Sequence, residues 1–426
     1  MSAAGQSGRS STLRSFLLVV LVLGVIGVSL LGTIGALALL FVGSAGMVPA
    51  VGALLYVLLF CVPVGLRVLL SRGGRLAQPL RLPHPLVIGG VAFAAIVVGQ
   101  IATLGALTVL ALPGFWLAAM LPPLAALAFA CLRLPGATTW RRALFGLLTG
   151  SLLSTTVTLL LGGVVGLLGY VALMPLREIV AHVLASPGLE RLFYSPALVV
   201  AMVGSAVVAP LVEEMTKPIG ALILMRRLRS STEAFVVGMA CGVGFAVMEN
   251  MLYQASGSSA WGAVATLRGI GGVLHPLNAG MVTLGWYGAL RGTEPGRWER
   301  LLALYGLAVG SHALWNGGLT LLFSVAGAYF FATDTWRVDI YGVGQPVVVL
   351  AFMVLEAVAL WRLLLLVGER LGPASAAATP AGLGLGLDRP RRLAIWATAV
   401  FALIVPIGVV FGPLLAHYAE RLTATR

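Results

Sequence analysis

The chain has 426 residues, 59% of them hydrophobic and 10% charged, with a formal net charge of +13. Soluble globular proteins carry roughly 25% charged residues, so this composition excludes a surface that faces water throughout. The mean hydropathy is +1.03, and several apolar runs exceed the ~18 residues that mark a membrane-crossing helix. In lipid every backbone group must be paired within the protein, which leaves helices or a closed barrel. The runs lack strict alternation and are rich in Leu, Ala and Gly. The expected fold is therefore all-α, a polytopic transmembrane helix bundle.

Taken in chain order, residues 1–14 are polar and basic and read as a cytoplasmic tail. The apolar run behind them outlasts a signal-peptide core and lacks a cleavage site. Spans near 16–42, 48–70, 85–112, 115–132 and 143–173 form an N-terminal bundle over 15–174. Residues 175–194 carry Arg177, Glu178, His182, Glu190 and Arg191 among apolar neighbours, the pattern of an interfacial helix on the outer face. Spans near 195–225, 234–254, 261–290 and 301–324 make a second core over 195–325. An outer loop follows at 326–345, with Trp336 as an anchor. Spans near 346–368 and 393–416 complete a C-terminal segment, 346–426, with a flexible Ala/Gly/Pro linker at 371–390.

That makes about eleven spans. The arginines orient them: the clusters at 67–81, 133–142, 226–229, 291–300 and 370–392 all fall on the side of Arg9 and Arg14. The positive-inside rule makes that side cytoplasmic, with the N-terminus inside and the C-terminus outside. Clusters of this kind are topology determinants and not a nucleic-acid patch, so the expected partner surface is the lipid bilayer of the cell membrane. Cys61, Cys131 and Cys241 have neither zinc-knuckle nor redox spacing and read as packing residues.

The second core carries polar groups at membrane depth. Glu213, Glu214, Glu249 and Glu356 lie inside apolar spans, where an ionised carboxylate costs several kcal/mol and is usually functional. Lys217 is the only lysine among 27 basic residues and follows Glu213 and Glu214 by one helical turn, which puts the three on one face. Phe245, Glu249 and Tyr253 recur every four residues, flanked by Asn250; the next span carries Arg268, His275 and Asn278, and the one after it His312 and Asn316. A rise of ~1.5 Å per residue puts these groups between mid-membrane and the outer leaflet. Asn250 and Asn278 divide evenly between site and interhelical glue, Tyr253, Trp261 and Trp336 read as interface anchors, and Glu356 as the structural partner of an arginine.

In order, EExxK at Glu213–Lys217, FxxxExxxY at Phe245–Tyr253, RxxxxxxH at Arg268–His275 and HxxWN at His312–Asn316 resemble the PrsW family of intramembrane proteases. The resemblance covers 210–317, and it is similar, more distantly, to the CAAX prenyl endopeptidases, which carry histidine where this chain has Glu249. It implies an endopeptidase acting on a membrane-anchored protein substrate, an anti-sigma factor cut from its outer side. Peptide hydrolysis needs an activated water, an oxyanion stabiliser and a proton donor. Either Glu213 or Glu214 serves as general base in this reading. His312 and Asn316 would donate to the oxyanion, as in the CAAX peptidases, while Glu249 and His275 position the water or the base. Lys217, Arg268, Asn250, Asn278 and Phe245 organise the site.

This reading favours no cofactor. Its rival is zinc held by Glu249, His275 and His312 with an open position for water, although no HExxH helix is present. Two other functions compete with the protease: a non-catalytic scaffold that binds partner helices, and a proton-coupled transporter using Glu213, Glu249 and His275 as a relay. The composition suggests a GC-rich bacterial source, and nothing in the chain sets an oligomeric state.

Overall fold

The computed structural model describes residues 52 and 55–372, apart from 71–73, 105–107, 184–202, 258–259, 331–336 and 341–342. The tail 1–14, the spans expected at 16–42 and 393–416, Trp336 and nearly all of the linker lie outside the described residues.

A π-helical turn, Val57–Cys61, leads into α1 (Val62–Leu70), and α2 (Pro85–Leu104) and α3 (Thr108–Arg133) follow. Residues 108–112, expected to end the third span, instead open α3. Pro113 falls in its second turn and Pro122 and Pro123 near its middle, and each removes one backbone donor from the helix. Helices α4 (Trp140–Thr149) and α5 (Thr155–Val183) are joined through a π-helical turn at Gly150–Ser154. Helix α5 runs through Pro175, so the first part of the segment expected to be interfacial continues the preceding helix.

The segment expected as the span 195–225 is broken. After a π-helical turn, Gly204–Val208, come α6 (Ala209–Thr216) and α7 (Ile219–Leu224). Pro218 between them lacks the N–H that a continuous helix requires. The Lys217 carbonyl at the break accepts a hydrogen bond from Ser154 Oγ at 3.1 Å, as a break inside a membrane demands. The span 261–290 is also broken, into α9 (Trp261–Ile270) and α10 (Leu274–Arg291) around Gly271 and Gly272, with α8 (Ser231–Ser256) before it. Helix α11 (Arg297–Phe330) carries His312 and Asn316.

An antiparallel hairpin of β1 (Arg337–Ile340) and β2 (Val343–Pro346) then pairs Arg337 with Pro346 and Ile340 with Val343. This corrects both the purely helical expectation and the outer loop: α11 covers its start and a short ladder its end, where Val338, Ile340 and Val343 favour strand. Helix α12 (Val347–Leu371) closes the described chain. Among the described residues five helices are long and apolar enough to cross a membrane: Pro85–Thr103, Ala111–Arg133, Trp140–Gly169, Ser231–Ala255 and Val347–Leu371. The breaks and polar residues of α6, α7, α9 and α10 set those segments apart from an uninterrupted apolar span.

Helix α8 is the hub. It packs against α10, α3 and α4, and Phe235, Met239, Val243, Val247 and Met251 are buried along it. Its start is fixed by Ser230, whose Oγ accepts from Glu233 N at 3.1 Å, while Glu233 Oε2 accepts from Arg229 N at 2.8 Å. This variant of a capping box is tied to α4 by an Arg142–Glu233 ion pair and to Thr138 at 3.4 Å. Close approach to α10 requires glycine at 242, where a Cβ would stand 2.3 Å from the His275 carbonyl oxygen.

Two expectations change here. Trp261, read as an interface anchor, is fully buried: Nε1 donates to Thr103 Oγ1 at 2.9 Å and the ring meets Phe115 edge-on at 5.8 Å. Glu356 is buried, but neither carboxylate oxygen has a hydrogen-bond partner, so the arginine expected beside it is not there among the described residues.

Candidate active site

Five helical segments, α6, α8, α9, α10 and α11, converge on one buried cluster. Helix α6 brings Glu213 and Glu214, with Lys217 at its C-cap. Lys217 is fully buried, with Nζ 2.6 Å from Glu214 Oε1, 3.1 Å from Glu213 Oε2 and 4.7 Å from the centroid of the Phe245 ring. The compact ammonium sits over the aromatic face while pairing with both carboxylates. The i,i+3 and i,i+4 spacings read from the sequence produce both ion pairs.

Helix α11 supplies His312, whose Nδ1 donates to Glu214 Oε1 at 2.7 Å. Its Nε2 then accepts from Asn316 Nδ2, one turn on, at 3.0 Å. Asn278 on α10 donates to the Ala308 carbonyl at 3.0 Å and reaches Glu214 Oε1 at 3.5 Å, while Ser311 Oγ donates to Asn278 Oδ1 at 3.1 Å. Asn278 therefore joins helices α10 and α11 and also touches the carboxylate. Ser311, like Ser154, is a participant that the sequence did not flag, because a lone serine in an apolar helix carries no spacing signal.

On the opposite flank Glu249 accepts from Arg268 in a short ion pair and from His275 Nε2 at 2.7 Å. Arg268 Nε also donates to Asn250 Oδ1 at 2.9 Å, and Asn250 Nδ2 donates to the Ala119 carbonyl on α3 at 3.0 Å. The Arg268 guanidinium lies 4.5 Å from the centroid of the Tyr253 ring. Tyr253 thus belongs to the site margin as well as to the surface. The two halves meet through the imidazoles: His275 and His312 stand edge to face, ring centroids 5.2 Å apart at 87°. Phe245 packs against His275 at 5.7 Å.

Among the described residues, His275 Nδ1 and Glu214 Oε2 have no hydrogen-bond partner, and Glu213 Oε2 has only its ion pair with Lys217. One ligand atom each from Glu213, His275 and His312 lies within 4.8 Å of the others. The zinc set expected from sequence had Glu249 in place of Glu213. Glu249 is committed instead to Arg268 and to the far nitrogen of His275. A buried carboxylate, a free imidazole nitrogen and a second imidazole form a donor set that fits zinc.

A family model described as PrsW family intramembrane metalloprotease matches residues 138–356. The chain belongs to that family. The PrsW match extends well beyond the motif region at 210–317, taking in α4 and α5 before it and reaching Glu356 in α12 after it. Its first residue, Thr138, is among the groups that bind Glu233 at the head of α8. No curated protein and no solved structure matches the chain significantly.

Proposed function

We propose that the chain hydrolyses a peptide bond of a membrane-anchored protein in a bacterial cell membrane, with Glu213, His275 and His312 holding a zinc ion. The observation that carries this reading is the pairing of each histidine with its own carboxylate. His275 Nε2 is bound to Glu249 and His312 Nδ1 to Glu214. Ligating histidines characteristically give their second nitrogen to a carboxylate, and this pairing leaves His275 Nδ1 and His312 Nε2 for a metal beside Glu213 Oε2. The ion would supply Lewis acidity to the scissile carbonyl and make a bound water acidic enough to attack it.

The chain's own groups do the rest. Lys217 holds Glu213 and Glu214 together in one small volume. Glu214 spends Oε1 on Lys217 and His312 and leaves Oε2 without a hydrogen-bond partner among the described residues. Asn316 donates to His312 Nε2 in this arrangement; released from it, the amide can turn to the developing oxyanion. Arg268 and Asn250 hold Glu249, and through it the ring of His275. The helix order and arginine pattern favour access from the outer half of the membrane, and the family resemblance favours an anti-sigma factor as substrate.

A second reading uses Glu213 Oε2 itself as the base, without a metal; the Lys217 ammonium 3.1 Å away would hold it ionised. One experiment separates the two. Purified full-length protein is given a panel of single-pass substrates and its zinc is counted. Cleavage that is lost in Glu213→Ala and Glu214→Ala, falls on chelation and returns with zinc supports the first reading. Cleavage indifferent to chelation with no bound zinc supports the second. Cleavage that persists in both variants would sink both.

A further inference from the structure

Helix α3 carries the proline pair Pro122–Pro123 near its middle and still runs from Thr108 to Arg133. A proline at position i removes the N–H that would bond to the carbonyl at i−4, so Pro123 frees the Ala119 carbonyl. Inside a membrane a freed carbonyl must find another donor. The donor is Asn250 Nδ2 of α8, at 3.0 Å. Ala119 and Asn250 are both buried, so the bond lies within the interface between the two helices.

That acceptor decides which way the Asn250 amide faces. With Nδ2 held by α3, Oδ1 is turned to accept from Arg268 Nε at 2.9 Å. Arg268 pairs with Glu249, which accepts from His275 Nε2 at 2.7 Å. The reversed amide would set its NH2 group against the guanidinium. Pro122 meets the same chain of contacts from another side, at the break between α9 and α10. A Cβ at 272 would stand 2.9 Å from Pro122 Cβ, and one at 269, next to Arg268, 3.7 Å from Pro122 Cγ.

We infer that Pro122–Pro123 is a positioning element of the catalytic cluster: the carbonyl freed by Pro123 fixes Asn250, and through Asn250 and Arg268 it fixes Glu249 and the ring of His275. The inference rests on the proteolytic reading above and adds a contributor from outside the family match, which begins at Thr138 after α3 has ended. A proline pair that only bends its helix would leave the freed carbonyl to any nearby donor. Here the carbonyl is spent on the amide that also holds Arg268. An N–H restored at position 123 would draw the Ala119 carbonyl back into the α3 ladder and take it from Asn250.

The test compares three full-length proteins in lipid bilayers. They are the parent, Pro123→Ala, which restores the N–H, and Pro123→lactate, made by nonsense suppression, whose ester linkage carries the methyl side chain of alanine and no N–H. The chain has five histidines, so NMR of isotopically labelled histidine, assigned with His275→Gln, reports the His275 ring without zinc or substrate. Pro123→Ala should shift the His275 Nε2 resonance and lower kcat about tenfold with little change in KM. Its thermal midpoint should equal or exceed that of the parent, since a helix interior favours alanine over proline. Pro123→lactate should restore both the resonance and kcat. An unmoved resonance in Pro123→Ala, or a lactate protein that behaves like the alanine one, would overturn the inference. Where Pro123→Ala misfolds, the lactate protein decides against the parent: a displaced His275 resonance assigns the effect to the proline ring and overturns the inference, and an unchanged one upholds it. An unmoved resonance with a parent that cleaves removes the positioning role and keeps the protease. A resonance shifted and restored, with a parent that cleaves nothing, keeps the positioning role and removes the protease.

Discussion

His312 Nδ1 lies 2.7 Å from Glu214 Oε1, and that bond fixes which imidazole nitrogen is left for chemistry. A fully buried carboxylate bonded to the ring holds the Nδ1–H tautomer and turns Nε2 towards Glu213 and Asn316. Replacing Glu214 by Gln keeps the shape and weakens the acceptor. Loss of such a partner typically costs ~10–100-fold in metal affinity or activity. Zinc competition against a chromophoric chelator, together with peptide turnover, should show a loss in that range. A change below about threefold in both would count against the proposed ligand orientation.

Lys217 is the one cation in contact with Glu213 and Glu214 among the described residues. Lys217→Met keeps the stem and removes the charge, leaving two carboxylates together in an apolar interior. Removing one partner of a buried pair costs ~3–5 kcal/mol. The thermal midpoint in detergent should fall sharply and activity should vanish. A midpoint equal to that of the parent protein would mean that the carboxylates are neutral or otherwise compensated.

Gly242 allows α8 to touch the His275 backbone, with a Cβ placed 2.3 Å from the carbonyl oxygen. Gly242→Ala must push α10 away and displace His275 with it. Overpacking of this kind costs ~1–3 kcal/mol, and the zinc affinity should fall as well. Gly288→Ala is the control on α10, since a Cβ there meets nothing within 4 Å. Equal behaviour of the two variants in melting and zinc titration would refute the packing argument.

Glu356 is buried, and neither of its oxygens has a partner among the described residues. An unsatisfied buried polar group costs ~1–3 kcal/mol, so Glu356→Met should raise the thermal midpoint or leave it unchanged. A clear fall would reveal a stabilising contact to the carboxylate.

Much of this site was legible because helical spacing is a strong geometric constraint. The EExxK turn, the His312–Asn316 pair and the Phe245–Glu249–Tyr253 stripe each lie on one face, and the structure brings those faces together. Spacing says nothing about which atom of a side chain is left over. Glu249 stood in the expected zinc set, and only the structure shows that Arg268 and His275 Nε2 occupy it. Trp261 was misread because an indole at a helix start matches an interface anchor equally well in sequence. Its N–H reaches Thr103 only when α2 packs against α9. Nor could periodicity foresee the breaks at Pro218 and at Gly271, since apolar residues continue on both sides. The short strands went unseen because four-residue segments carry too little alternation to register.

The Ser154 hydroxyl that satisfies the Lys217 carbonyl also has a bearing on biosynthesis. Ribosomes deliver the chain from its N-terminus, so α4 and α5 are made before the segment that breaks at Pro218. That segment enters the bilayer with the hydrogen-bond donor for its carbonyl already waiting on an earlier helical turn. Its kink is completed by assembly and need not be carried through insertion as an exposed carbonyl. A chain rearranged so that 209–224 preceded 140–183 would keep every motif and lose that order of supply.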